Sequence, residues 1–179
     1  MRYAQIREMD ISNGEGVGVA LFVQGCHFHC TNCFNPETWD FNGGKEWTQE
    51  TEDKLVELAS RPYIKRLSIL GGEPLADENL DGILHLVDRF RLSFPNKSIW
   101  LYSGYRFNDE ECWVKQKNDI TNIYRFMRQE IIKSVDVMVD GRYIDSQRDI
   151  TLKWRGSKNQ RVIDVQQSLQ KGEIILWCQ

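Results

Sequence analysis

Three cysteines lie within eight residues of this 179-residue chain, in the spacing C-x3-C-x2-C. They are Cys26, Cys30 and Cys33. Three thiolates on a short loop can surround one cluster of iron and sulfide, although most iron–sulfur clusters take four cysteines. If only these three ligate, one iron keeps a coordination position for a substrate or cofactor. The spacing therefore indicates an iron–sulfur site that does chemistry.

Other interpretations of the same cysteines stay open at the level of sequence. Cys112 or Cys178 can fold back as a fourth ligand, although the sequence does not require it. A zinc site with three cysteines is a structural alternative, with His27 or His29 as its fourth ligand. A catalytic thiol is another. The total of five cysteines is odd, which fits a metal site in a reducing compartment better than a disulfide framework.

The elements that must position this loop begin with short apolar runs typical of buried strands. Four such runs predict strands at 19–23, 66–70, 98–102 and 135–139, and weaker candidates lie at 161–164 and 173–177. Each of the four strong strands is followed by a short motif of glycine, cysteine or polar residues. Because ligands of βα folds bind at the carboxyl edge of the sheet, we expect these motifs to share one functional face. The motifs are Cys26 to Cys33, Gly71 to Pro74, Tyr102 to Tyr105 and Asp140 to Tyr143.

Helical patterns lie between the predicted strands. Thr48 can cap a helix that runs to about Ser60, with acidic residues near its positive end. A second helix ends before Pro95, and its apolar face consists of Leu80, Ile83, Leu84, Val87 and Phe90. A third face consists of Ile123, Phe126, Met127 and Ile131. Strands that alternate with helices predict an α/β fold with mostly parallel strands, in a single domain over 1–179.

The cysteine motif, followed by Gly-Gly-Glu-Pro at 71–74, resembles the radical S-adenosylmethionine superfamily. The resemblance implies a [4Fe–4S] cluster on the three cysteines, with the amino and carboxylate groups of S-adenosylmethionine on the fourth iron. It also implies that Gly71, Gly72 and Glu73 contact the methionine part of the cofactor. Glycines let the backbone approach closely, and carbonyls with a carboxylate accept from an ammonium. For the fold it implies a shortened, partly open (βα) barrel, because a full barrel typically needs about 250 residues.

Further stretches narrow the resemblance to one family. They are 101–105, 136–143 and 154–164, together with Gly14-Glu15-Gly16 before the first cysteine strand. They are similar to the activating proteins of anaerobic ribonucleoside-triphosphate reductase. This implies an activase that reductively cleaves S-adenosylmethionine and abstracts hydrogen from a C-terminal glycine of the reductase, forming a glycyl radical. The implied electron donor is reduced flavodoxin or ferredoxin.

The resemblance and the strand-end positions imply roles for several polar residues. Ser103 hydrogen-bonds the cofactor, and Asp140 and Arg142 lie near its ribose or carboxylate. Four residues of the arginine-rich stretch hold a carboxylate through bidentate pairs or grip the glycine loop of the partner; they are Arg155, Asn159, Gln160 and Arg161. Many superfamily members place an aromatic residue just before the third cysteine. This chain has Asn32 there, so no adenine contact is assigned.

Composition excludes several classes of function. The formal net charge of -3 argues against a protein that binds the phosphate backbone of nucleic acids. No stretch approaches about 20 apolar residues and the N-terminus lacks an apolar signal segment, so we expect a cytoplasmic protein without membrane contact. Three competing hypotheses stay open. They are an activase of another glycyl-radical enzyme such as pyruvate formate-lyase, a small-molecule radical enzyme, and a non-enzymatic metal-binding module.

Overall fold

The structure is a computed structural model that describes residues 1–109, 112 and 122–177. The strands of this part of the chain are β1 (Arg2–Asp10), β2 (Gly18–Val23), β3 (Lys45–Glu46), β4 (Arg66–Gly71), β5 (Ser98–Ser103), β6 (Val137–Asp140) and β7 (Arg161–Asp164). Its α-helices are α1 (Gln49–Ser60), α2 (Leu80–Ser93), α3 (Ile123–Ser134) and α4 (Val165–Lys171). None of the described helices is both long enough and apolar enough to cross a membrane.

The strands form one sheet in the order β3-β1-β2-β4-β5-β6-β7. The central strands β2, β4, β5 and β6 run parallel to one another, whereas β1, β3 and β7 pair antiparallel with their neighbours. The predicted α/β fold with mostly parallel strands is therefore confirmed. The sheet is open, with β3 and β7 at its two edges, and the described residues do not close it into a barrel.

The two faces of the sheet differ because side chains alternate along each strand. One face packs against the helices. Its strand residues include Leu21, Ile69 and Leu101, and they form one core with buried residues of α1, α2 and α3. The opposite face carries two smaller apolar clusters, in which Tyr102 contacts residues of both. The helices therefore cover one side of the sheet, and the other side is left for the chain's loops.

The predicted helices form, but one residue that was predicted to lie on the buried face of α3 is exposed. Thr48 is the N-cap of α1, and its hydroxyl accepts from the Thr51 amide at 3.3 Å, as the sequence predicts. On α3 the prediction was wrong for Ile123, whose exposed fraction is 56%. The helix instead buries Arg128, which donates from Nε to the Leu75 carbonyl at 2.9 Å. Ile131 is buried and Met127 packs against the same core, as the sequence predicts, so the error lies in the first turn of the helix.

Strand predictions were accurate in the centre of the sheet and weaker at its edges. The predicted strand at 135–139 begins at Val137 in the structure. The segment 173–177 contributes only an isolated bridge, between Leu176 and Ile163. The strand β1 was not predicted, because its nine residues are largely polar and exposed on one side. Since β2, β4, β5 and β6 are parallel neighbours, their carboxyl ends meet at one edge, where the predicted functional face lies.

Candidate functional site

A cavity of about 510 Å³ opens at this carboxyl edge. Cys26, Cys30 and Cys33 all line it. The cavity is also lined by predicted cofactor-contacting residues from the ends of three further strands. They are Gly71, Gly72, Glu73, Ser103 and Arg142. The structure therefore brings together every residue of the predicted site except Asp140.

The cysteine loop begins where β2 ends and is fastened at its base. The amide of Gly25 donates to the Thr38 carbonyl at 2.8 Å, and the amide of Cys26 donates to the Trp39 carbonyl at 3.0 Å. Two residues between the cysteines, His29 (φ 44°) and Asn32 (φ 55°), adopt left-handed backbone conformations that turn the chain sharply. The loop therefore presents its three thiols to the cavity from one tight segment.

Partial burial raises the proton affinity of two of the three thiols, Cys26 and Cys30. Burial raises the pKa of Cys26, and the nearby Glu73 carboxylate raises it further. Burial also raises the pKa of Cys30, together with the neighbouring Cys33 thiolate. In the absence of metal, Cys26 and Cys30 hold their protons near neutral pH. Because metals bind thiolates, loading this site must release protons and is favoured by higher pH.

The donor set fits an iron–sulfur cluster better than a single zinc ion. Within the described residues, no three His, Cys, Asp or Glu side chains are grouped closely enough to hold one metal ion. The irons of a cluster are spread apart, so its thiolates need not converge on one point. The histidines are occupied elsewhere: His27 Nε2 lies 3.0 Å from Glu78 Oε1, and the His29 ring stacks on Trp39.

The remaining cysteines do not supply a fourth ligand in the described part of the chain. Cys112 is buried in the core on the helix side of the sheet, away from the cavity. Cys178 lies outside the described residues. The three thiols of one loop are thus the cysteine side chains that line this cavity in the described part of the chain.

The Gly-Gly-Glu-Pro segment ties the end of β4 to the base of the cysteine loop. Gly71 has a φ of +105°, a conformation that side chains rarely adopt. The amide of Gly72 donates to the Val23 carbonyl at 2.9 Å, and the amide of Glu73 donates to the Gly25 carbonyl at 2.7 Å. The two glycines therefore allow close contact between backbones, and a cofactor contact there stays a prediction.

Gly72→Ala is expected to lower the free energy of unfolding by about 2–3 kcal/mol, as overpacking of a tight site does. A Cβ at this position would lie 2.4 Å from the Gly25 carbonyl oxygen, which is backbone and cannot rotate away. Urea denaturation of the metal-free protein measures the change. Gly82→Ala in α2 is the matched control, because the atoms nearest to its Cβ belong to the flexible Met1 side chain, which can move away. Equal stability of the two variants would contradict the close packing at Gly72.

The Glu73 carboxylate is buried and accepts three hydrogen bonds. Oε1 accepts from the Leu75 amide and the Ser103 hydroxyl, both at 2.8 Å, and Oε2 accepts from the Gly104 amide at 2.7 Å. Burial raises the pKa of Glu73 to about 7, against the lowering effect of these donors and of the Arg128 charge. An ionised carboxylate offers about four acceptor positions, so at most one is left for a ligand's ammonium. The predicted ligand Ser103 is thus a partner of Glu73 in this structure.

Arg142 and Asp140 lie on either side of Gly141 but have different surroundings. The Arg142 guanidinium lies 4.2 Å from the centroid of the Phe28 ring at the mouth of the cavity. Asp140 is buried, and its Oδ1 accepts from Arg161 Nε at 2.9 Å while Oδ2 accepts from the Phe107 amide at 2.8 Å. This carboxylate fastens β7 and the loop after β5 to β6. It is not among the cavity-lining residues of the described chain, and a contact with the cofactor stays a prediction.

The arginine-rich stretch 155–161 largely holds its own loop. Arg155 Nη1 donates to the Gln160 carbonyl at 2.7 Å, and Gln160 Nε2 donates to the Gly141 carbonyl at 3.0 Å. Asn159 Nδ2 donates to the Arg142 carbonyl at 2.8 Å. Arg155 and Gln160 line the cavity, whereas Asn159 and Arg161 do not. The stretch therefore positions the turn that carries Arg142.

Several cavity residues were not assigned from the sequence. Trp39 lines the cavity, and its buried Nε1 has no hydrogen-bond partner among the described residues. Trp154 also lines it and packs edge-on against Trp100, with ring centroids 5.0 Å apart. The Asn32 side chain donates to Asp145 Oδ2 at 2.9 Å. Trp154 directly precedes the arginine-rich stretch, and this position was a usable signal, whereas Trp39 lies in an irregular loop without such a signal.

Comparison with known proteins agrees with this geometry. Residues 12–163 match a family model described as a 4Fe-4S single cluster domain. A relative from Vibrio cholerae is 38% identical over 162 residues, which cover 89% of this chain and 96% of the relative. Relatives from Escherichia coli K12 and Enterobacteria phage T4 are 35% and 38% identical over 164 residues, which cover 90% of this chain and 97% and 93% of theirs. All three are named anaerobic ribonucleoside-triphosphate reductase-activating protein. The chain belongs to this family of reductase-activating proteins with a 4Fe-4S single cluster domain.

Proposed function

We propose that this chain is an activase that forms a glycyl radical on an anaerobic ribonucleoside-triphosphate reductase. In this proposal Cys26, Cys30 and Cys33 hold a [4Fe–4S] cluster, and S-adenosylmethionine binds at the iron without a cysteine. When bound and reduced, the cluster supplies the electron that splits S-adenosylmethionine into methionine and a 5′-deoxyadenosyl radical, which takes hydrogen from a glycine near the C-terminus of the reductase. A reduced flavodoxin or ferredoxin is the proposed electron donor.

One observation carries the proposal. The three thiols and the Gly-Gly-Glu segment come from the ends of different strands, yet they line the same cavity. A structural metal site does not need a cavity of this size or a buried carboxyl group beside it. A site that holds a cluster together with a charged organic cofactor needs both.

The chain's own residues bind and orient the cofactor in this proposal. Glu73 offers its remaining acceptor position to the cofactor's ammonium, and the bonds from Ser103 and Gly104 fix the direction of that carboxylate. Arg142 pairs with a carboxylate or contacts the ribose at the mouth. The aromatic rings of Phe28 and Trp39 exclude water from the interior of the cavity.

The open sheet suits a substrate that is itself a protein. We propose that it is the shortened barrel of the superfamily and that its missing wall admits the reductase's glycine loop, with 1–179 acting as one domain. This part of the proposal fails if an experimental structure with the cluster bound shows the cavity closed on all sides.

The proposal is tested first by the cleavage reaction alone. The protein is purified without oxygen, reconstituted with iron and sulfide, reduced with dithionite and given S-adenosylmethionine. We expect 5′-deoxyadenosine and methionine in equal amounts, and four irons per chain. Bound zinc in place of iron, with no 5′-deoxyadenosine, would return the chain to the class of metal-binding modules.

A further inference from the structure

A basic segment lies beside the cysteine loop. Residues 142–161, which we call the basic lip, contain six arginines and lysines and two aspartates, a formal net charge of +4. The chain as a whole has a formal net charge of -3, so the rest of it carries -7. The segment is therefore net positive, whereas the rest of the chain is net negative.

The basic lip packs directly against the loop that carries Cys30 and Cys33. The Asn32 side chain donates to Asp145 Oδ2 at 2.9 Å, and the rings of Phe34 and Tyr143 lie 5.1 Å apart. The backbone amide of Tyr143 donates to the Cys30 thiol and lowers its pKa, against the larger effect of burial. Arg142, Asp149 and Arg155 of the lip also line the cavity that the three cysteines line, so the lip lies beside the proposed cluster site.

Four of the six positive charges of the basic lip are exposed, whereas Arg155 and Arg161 are half-buried and donate to the Gln160 carbonyl and to Asp140. Lys153 and Lys158 are exposed, as are Arg142 and Arg148. The two negative charges of the lip are partly engaged. Asp145 accepts from Asn32 and Tyr143, and these bonds lower its pKa. Asp149 accepts from Thr151 and lies 3.7 Å from Lys158 Nζ. The surface that a partner meets is therefore positive.

We propose that the basic lip is the docking surface for an acidic electron-donor protein. This inference rests on the proposed function, which requires one electron for each cleavage. Opposite charge on two proteins raises their association rate and selects the encounter face, and here it directs an acidic donor to the side of the chain that carries Cys30. In the transfer, one electron leaves the donor, whose flavin hydroquinone becomes the semiquinone, and the oxidised cluster gains it. No bond between the two proteins is made or broken.

The test uses an acidic flavodoxin as the probe and a double variant of the lip, Lys153→Glu with Lys158→Glu. Neither lysine is assigned to the cofactor site. The matched control is Lys54→Glu with Lys171→Glu, which changes the net charge equally at exposed positions of α1 and α4 on the helix side. Circular dichroism confirms folding, and Lys153→Gln with Lys158→Gln replaces the lip variant if the glutamates prevent folding.

The first readout is binding, which does not depend on turnover. At low ionic strength we expect the lip variant to associate with flavodoxin about 10-fold more slowly than the wild type, within the range of electrostatic steering. The difference in association rate between the lip variant and the wild type should nearly vanish at about 0.5 M salt, because screened charges attract each other over only a few ångströms there. The control should stay within about 2-fold of the wild type, as expected for charges far from the docking face. An equal loss in both variants would overturn the proposal, because net charge alone would explain it.

The second readout separates this inference from the proposed function. With dithionite as reductant, the lip variant should form 5′-deoxyadenosine as fast as the wild type; with flavodoxin hydroquinone it should be slower. A wild type that forms none with dithionite would refute the proposed function itself. A lip variant that binds flavodoxin normally but binds the reductase more weakly would overturn the inference and assign the lip to the reductase.

Discussion

Replacing Cys30 with alanine is expected to abolish formation of 5′-deoxyadenosine. Cys30 is the middle thiol of the only loop in the described chain that offers three cysteines to the cavity. With two thiolates left on the loop, a cluster has too few protein ligands to be retained during purification. Mutating a residue that only orients a metal ligand typically lowers metal affinity or activity about 10–100-fold. We therefore expect loss of a ligand itself to lower the rate of 5′-deoxyadenosine formation more than about 100-fold. Iron content, visible absorption and 5′-deoxyadenosine are measured on the same sample.

Cys112→Ala is the matched control for this experiment. Cys112 lies in the helix-side core, so its loss should cost about 1 kcal/mol of stability and leave the iron content unchanged. Cys178→Ala tests the other distal cysteine in the same way. A Cys30→Ala protein that keeps four irons, or a Cys112→Ala protein that loses them, would contradict the assignment of the ligands.

Replacing Glu73 with glutamine is expected to weaken binding of S-adenosylmethionine at least about 10-fold, the value of one lost charge-assisted hydrogen bond. The amide oxygen of glutamine can accept the hydrogen bonds that one carboxylate oxygen accepts now. The amide nitrogen is itself a donor, so it cannot accept the hydrogen bonds at the other position. At Oε2 the present donor is the Gly104 amide, 2.7 Å away. The variant thus loses an acceptor for the cofactor and part of the support for the end of β5. Calorimetric titration of the reconstituted protein measures the affinity.

Glu78→Gln is the control, because it removes the same charge from an exposed side chain near the same loop. It should leave the affinity for S-adenosylmethionine within about 2-fold, as expected for a surface charge. If Glu73→Gln and Glu78→Gln bind the cofactor equally well, Glu73 does not contact or support it.

The raised pKa of Glu73 also predicts a pH dependence of stability in the metal-free protein. Its folded pKa of about 7 lies above its ordinary value of 4.5, so the neutral carboxyl stabilises the fold fully below pH 4.5. This contribution, at most about 3 kcal/mol, is lost as the pH rises through 7. Glu73→Gln should lack it, so the stability difference between wild type and variant should shift between pH 4.5 and 7.5. A difference that stays constant over this range would show that Glu73 titrates normally.

The centre of the fold could be predicted from the sequence because burial on both faces leaves an unmistakable pattern. The strand β2 is a continuous apolar run, β4 and β5 are rich in apolar residues, and the helices α1 and α2 carry caps or apolar faces. The strand β1 could not be predicted, since it has neither a continuous apolar run nor clean alternation. Nor could the face of α3, because the burial of Arg128 depends on acceptors about fifty residues earlier in the chain.

In the candidate site, too, local motifs could be predicted and contacts between distant residues could not. The cysteines and the Gly-Gly-Glu segment were identifiable because their spacing is local. The role of Ser103 as a donor to Glu73 was not, because the two lie thirty residues apart and meet only through neighbouring parallel strands. Position at a strand end is not sufficient evidence for a cofactor contact, as Asp140 shows. It ends a strand as expected, yet its carboxylate accepts hydrogen bonds from Arg161 and from the Phe107 amide.

The central claim is that this chain transfers a hydrogen atom from a glycine of the reductase to the adenosyl fragment of its cofactor. The most direct measurement uses reductase labelled with α-deuterated glycine, mixed anaerobically with the reduced protein and S-adenosylmethionine. We predict a glycyl-radical signal in the electron paramagnetic resonance spectrum of the reductase, and deuterium in the 5′-deoxyadenosine. Formation of 5′-deoxyadenosine without deuterium, with no radical on the reductase, would contradict the claim.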